Sequence, residues 1–131
     1  MGQKARVDLV LDCADPLSLV SFWRDALDYR EYFVDESLAV LVPKDGNASP
    51  LVLQGVPEPK AGKNRMHLDV HPPLELGVPA LVERLEALGG RRIGEPVTDL
   101  LEAIDSWWQV MADPEGNEFC VVADQGHPPP A

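Results

Sequence analysis

The sequence predicts an α+β fold in which a strand, a helix and three more strands occur twice along one chain of 131 residues. Three observations predict it. The runs Arg6–Asp12 and Arg65–His71 alternate apolar and polar residues, and each precedes a helix signal. Each helix signal is followed by short apolar runs divided by turn residues. The turn Lys44-Asp-Gly-Asn47 of the first half is echoed by Pro114-Glu-Gly-Asn117 in the second.

In the first strand Val7, Leu9 and Leu11 fall on one face, and Asp8, Val10 and Asp12 on the other. Asp15-Pro16 is a helix start, a carboxylate cap followed by proline at the first helical position. Leu19, Phe22, Trp23, Ala26 and Leu27 then recur at helical spacing, and this stripe is expected to cover the greasy face of the first strand, with Trp23 in the core. Short strands are expected over Tyr29–Val34, Leu38–Val42 and Pro50–Gln54, and the run Gly55–Gly62, with two prolines and two glycines, reads as a linker.

The plan then repeats. Met66, Leu68 and Val70 form the apolar face of the Arg65–His71 strand, with His67, Asp69 and His71 opposite. A helix is expected from near Pro79, buried through Leu81, Val82, Leu85 and Leu88 and stopped at Gly89-Gly90. Strands are expected at Arg91–Ile93, Ser106–Ala112 and Glu118–Ala123, the last two joined by Asp113-Pro-Glu-Gly-Asn117. The boundaries are therefore a single domain over residues 1–125, with module one at 5–54, linker 55–64 and module two at 65–123. The proline-rich residues 126–131 are expected to be a flexible tail.

Composition narrows the function. There are 22 acidic and 11 basic residues, a formal charge of −11, and that field repels phosphate backbones and anionic membranes. Nucleic acid and membrane are excluded as expected partners; the charge either attracts a cationic ligand or simply keeps the chain soluble. Cys13 and Cys120 form neither a disulfide framework nor a paired-cysteine metal spacing, and they read as small buried hydrophobes. With no leader and no membrane-length apolar run, the cytoplasm is the expected compartment.

Three segments carry a family resemblance: Leu11-Asp-Cys-Ala-Asp-Pro16 with Phe22-Trp23, then Lys63-Asn-Arg-Met-His-Leu-Asp69, then Trp107-Trp-Gln-Val-Met-Ala-Asp-Pro-Glu-Gly-Asn-Glu-Phe-Cys120. Together they resemble a glyoxalase-like domain of the glyoxalase/bleomycin resistance/dioxygenase (vicinal oxygen chelate) superfamily, from about Val7 to Ala123. The resemblance implies two βαβββ modules forming a curved mixed sheet, with helices outside and a cleft inside, and a chain that dimerises with itself. Members include lyases, isomerases, ring-cleaving dioxygenases and drug-binding proteins, so the fold alone narrows function weakly.

Metal-using members of that family place one ligand, usually His or Glu, in the first and last strand of each module. The equivalent positions here are Asp8, Gln54, His67 and Cys120, of which only His67 keeps the usual ligand type. An amide oxygen is a weak ligand, and a thiol must lose its proton before binding metal strongly. No cofactor is therefore assigned, although a divalent metal on Asp8 and His67 stays open. His67 and Asp8 are the candidate catalytic pair, an imidazole able to carry a proton and a carboxylate able to orient it; the plainer alternative is a pocket histidine bonded to Asp8 or Gln54. Gln54, Cys120, Trp107, Trp108 and Arg65 are candidate ligand-binding residues. Adjacent residues on a strand face opposite ways, so the tryptophan facing the cleft is a candidate stacking platform; the plainer alternative is core filling for one and a dimer contact for the other. Lys60, Lys63 and Arg65 form a basic cluster that either holds a substrate carboxylate or phosphate or is solvated and pairs locally. Asp12, Asp69 and His71 read as a hydrated rim, and Asp113 with Asn117 as turn chemistry.

The expected function is a small-molecule binder using the cleft between modules without a tightly held metal, its catalysis open. The alternative is a metal-dependent lyase, isomerase or dioxygenase acting on vicinal oxygens. A partner-binding module is a third reading, requiring a sizeable apolar patch.

Overall fold

A computed structural model of the chain describes residues 6–45, 48–73 and 75–130. Residue 5, at the expected start of module one, Gly46 and Asn47 of the echoed turn, and Ala131 of the expected tail lie outside the described residues. The chain divides into two compact units between Lys60 and Ala61.

Module one comprises strand β1 (Leu9–Cys13), helix α1 (Pro16–Leu27) and strands β2 (Tyr29–Val34), β3 (Leu38–Pro43) and β4 (Leu51–Gly55). The sheet order is β1-β4-β3-β2, with β1 and β4 parallel and the other pairs antiparallel. Asp15 caps α1 as expected, its Oδ1 accepting from the Leu17 N–H at 3.2 Å. Asp28 ends the helix in the left-handed region. Leu19, Val20, Phe22 and Trp23 are buried beside Ala39, Leu41, Leu51 and Leu53 of the sheet. Each fully buried side chain of this kind stabilises by about 1.5–3 kcal/mol relative to exposure. The first strand starts at Leu9 rather than Arg6, because its parallel partner starts only after Pro50, whose carbonyl accepts from the Leu9 N–H.

Module two repeats the plan with β5 (Asp69–Val70), α2 (Gly77–Ala87), β6 (Arg91–Arg92), β7 (Trp108–Ala112) and β8 (Glu118–Val122), in the order β5-β8-β7-β6. The α+β class and the duplicated βαβββ order are therefore as the sequence predicts. Helix α2 buries Val78, Leu81, Val82 and Leu85, while Leu88 is only half-buried. Gly89 and Gly90 stop it, the Gly90 N–H reaching the Leu85 carbonyl and the Gly89 N–H that of Glu86, with Gly89 at φ +109°. Asp113 is buried in the β7–β8 turn, its carboxylate accepting from the Glu115 and Asn117 N–H groups, both at 2.9 Å, and from the Asn117 amide.

Module two departs from expectation in one strand and adds one helix. The strand expected over Arg65–His71 is regular only at Asp69–Val70, and Met66 is 81% exposed instead of in the core. Ladder pairing needs a partner, and β8 pairs only Cys120 with Asp69 and Val121 with Val70. Upstream, Asn64 instead bonds Glu118 directly, its N–H to Oε1 and its amide to the Glu118 carbonyl; downstream, Pro72-Pro73 end the strand. The second difference is a short helix, α3 (Leu101–Ile104), in the long connection between β6 and β7. No helix among the described residues is long and apolar enough to cross a membrane.

Candidate functional site

In module two the sheet face away from α2 carries the chemistry. Parallel pairing sets Asp69 beside Cys120, and His67 lies just upstream of β5, outside the ladder. The His67 Nε2 lies 3.0 Å from Asp69 Oδ1. An ionised carboxylate only accepts, so this contact holds the proton on Nε2 and, in the neutral ring, leaves Nδ1 as an acceptor. The pair is partly exposed, so it contributes at most about 1 kcal/mol to stability; its effect is on the ring's orientation and tautomer.

Around this pair lies a hollow of about 410 Å³, within the usual range for small-molecule sites. Trp108, Val110, Val122, Leu100 and Ile104 are among its apolar lining, and Lys63, His67, Asp69 and Glu118 carry its charged and titratable groups. Trp108 is therefore the tryptophan on the open face. Trp107 is 2% exposed and donates its indole N–H to the His127 carbonyl at 2.7 Å, so it is core.

His67, Asp69 and Cys120 also form a cluster whose ligand atoms all lie within 4.8 Å of one another. Imidazole, carboxylate and thiol together suit a zinc-type ion better than a hard cation. Burial pushes the Cys120 thiol up, Asp69 pushes it further, and Lys63 opposes them. A metal must overcome that shift to bind the thiolate, so the set fits such an ion at reduced affinity.

The remaining candidates are described within their own units. Asp8 belongs to module one, where it lines a wide, open hollow of about 1170 Å³ with Arg6, Arg30, Tyr32 and Ser49. Gln54 is exposed on β4, in register with Asp12 and Leu38. Arg65 and Lys60 are exposed and line neither hollow; only Lys63 of the basic cluster does. His71 pairs with Asp124 at 3.0 Å. Asp69, which the sequence reads as hydrated rim, is exposed as expected and also meets His67. The spacing alone offered only a hint of that contact, because His67 lies outside the regular strand.

Comparison with known proteins agrees with the topology. The sequence pattern of the glyoxalase-like domain family matches residues 8–122. No curated protein matches the chain. Among solved structures, a glyoxalase/bleomycin resistance protein/dioxygenase family enzyme from Burkholderia phytofirmans is 17% identical with a TM-score of 0.71, the match covering 89% of this chain and 98% of that one. A fosfomycin resistance protein from Listeria monocytogenes is 12% identical with a TM-score of 0.72, covering 95% and 97%. A glyoxalase-related enzyme from Fulvimarina pelagi is 18% identical with a TM-score of 0.66, covering 95% and 89%. Identities this low establish the fold alone, but the family pattern spans nearly the whole chain and both βαβββ modules. The chain belongs to the glyoxalase-like domain family.

Proposed function

We propose that the chain binds a small organic molecule in the hollow of module two, with His67 the group placed to exchange a proton with it. The observation that carries this reading is the 3.0 Å His67–Asp69 contact in a hollow that Trp108 also lines. Aromatic stacking on Trp108 holds a flat body, and the Nδ1 lone pair of His67 accepts a proton from a bound acid. Asp69 acts through the ring as a positioning residue, and Asp8 is kept as a second candidate acid or base from module one.

The test is a small-molecule screen read by calorimetry, followed by variants. Trp108→Ala weakens every true ligand of the hollow without changing the melting profile much. If a substrate is found, His67→Ala abolishes its turnover and Asp69→Asn moves the pH profile. Ligands whose affinity ignores Trp108→Ala would refute the assignment. Dimerisation, which the family resemblance implies, is checked by light scattering, where a monomer at micromolar concentration removes it.

A second reading is favoured by the His67–Asp69–Cys120 cluster: a metal-dependent lyase, isomerase or dioxygenase acting on vicinal oxygens. A metal there would supply Lewis-acid polarisation of substrate oxygens. His67, Asp69 and Cys120 would hold it, and the thiol proton must leave first. Elemental analysis after dialysis, with a thermal-shift panel of zinc, manganese, iron and nickel, decides. Near-stoichiometric metal lost in Cys120→Ser supports this reading; metal-free protein with an unmoved melting point removes it.

A further inference from the structure

Resting on the hollow of module two as the binding site, we infer that its ligand is an amphiphilic monocarboxylate. An aryl or branched-alkyl body lies against Trp108, Leu100 and Ile104, and a single carboxylate meets the Lys63 ammonium.

The connection between β6 and β7 supplies the apolar surface. Helix α3 within it buries none of its residues, so it contributes little to the core. This stretch supplies Leu100 and Ile104 to the lining of the hollow while leaving them 42% and 52% exposed. Large apolar side chains left open beside a tryptophan gain by covering with apolar ligand surface.

The charged groups of the hollow differ in how far they are engaged. Asp69 is in contact with His67, and Glu118 accepts from the Asn64 N–H at 3.1 Å. Lys63 makes no ion pair among the described residues. Asp69 and Glu118 line the same hollow and each already accepts a contact, whereas the Lys63 ammonium makes none, so an anion gains a direct ion pair there at the cost of sitting near two engaged carboxylates. The rest of the chain's charge of −11 weighs less, because charges beyond about 10 Å are largely screened at ordinary salt. One ammonium in an acidic chain suits a monoanion; a phosphate dianion brings a second charge with no partner.

Three probes of one shape test this by calorimetry: 2-naphthoate, 2-naphthamide and 2-naphthylmethylammonium. The naphthoate is expected to bind about tenfold tighter than the amide, the worth of one charge-assisted hydrogen bond. Lys63→Met erases that preference and Lys60→Met preserves it, while Ile104→Ser weakens naphthoate and amide alike. Equal affinities, a preference for the ammonium, or a carboxylate preference surviving Lys63→Met overturns the inference and leaves the hollow as a site. Failure of all three probes to bind overturns both.

Discussion

The two modules share a topology and differ in what they do with it. On the helix side they are close equivalents: α1 buries Leu19, Val20, Phe22 and Trp23, and α2 buries Val78, Leu81, Val82 and Leu85. On the open side they part. Module one joins its second and third strands through residues 35–37, and its hollow is wide and polar at the edges. Module two spends residues 93–107 on the same connection, and its hollow is narrower and walled by apolar side chains. The face that must pack is constrained by volume; the face that meets solvent or ligand is free to diverge.

Matched truncations in the two cores test the likeness and carry the largest effects. Phe22→Ala in module one and Phe119→Ala in module two each remove a ring 1% exposed, and each should cost about 3–5 kcal/mol in urea denaturation. A loss under 1 kcal/mol in either would break the equivalence. Next is the turn of module two: Asp113→Ala strands the buried donors of Asn117 and the part-buried N–H of Glu115 and should cost about 2–3 kcal/mol.

Helix entry separates the modules at a smaller scale. Asp15→Ala removes a side-chain cap and should cost about 1 kcal/mol, whereas Leu76→Ala, at the uncapped start of α2, removes no hydrogen bond and should show no capping loss. The thiol of Cys120 gives a pH signature confined to module two. Its pKa is raised in the folded chain above the ordinary 9.0, so the folded state holds the proton longer than the unfolded. That contribution is fully present below the ordinary thiol range and is lost as pH rises through the raised value. Cys120→Ala should flatten this alkaline part of the stability curve. Smallest of all, Lys44→Ala breaks a pair exposed on both sides and should stay within about 0.5 kcal/mol.

Much of this was legible in the sequence where local chemistry decides the outcome. Asp15-Pro16 and Gly89-Gly90 mark helix ends because capping is satisfied within a few residues, and strand alternation records which face is buried. The shortness of β5 was not legible, because the Arg65–His71 alternation says nothing about how many residues β8 can pair. Nor was α3, whose four residues are too few to show a helical stripe. The tryptophans were ambiguous because Gln109, a polar residue, shares the helix-side parity with Trp107 and Met111. It is buried there because its amide is satisfied by the Gly94 and Val110 carbonyls at 3.0 and 2.9 Å. The His67–Asp69 contact needed both side-chain directions, although their spacing hinted at it.

In both modules the opening strand pairs with the closing one, β1 with β4 and β5 with β8. During synthesis, then, Leu9–Cys13 has no partner until Leu51–Gly55 has left the ribosome, and Asp69 waits in the same way for Cys120. Each half therefore emerges with an unprotected sheet margin and seals it only with its last strand. Duplicating a short unit keeps that waiting period to one module's length, so the first half can close before the second begins to appear.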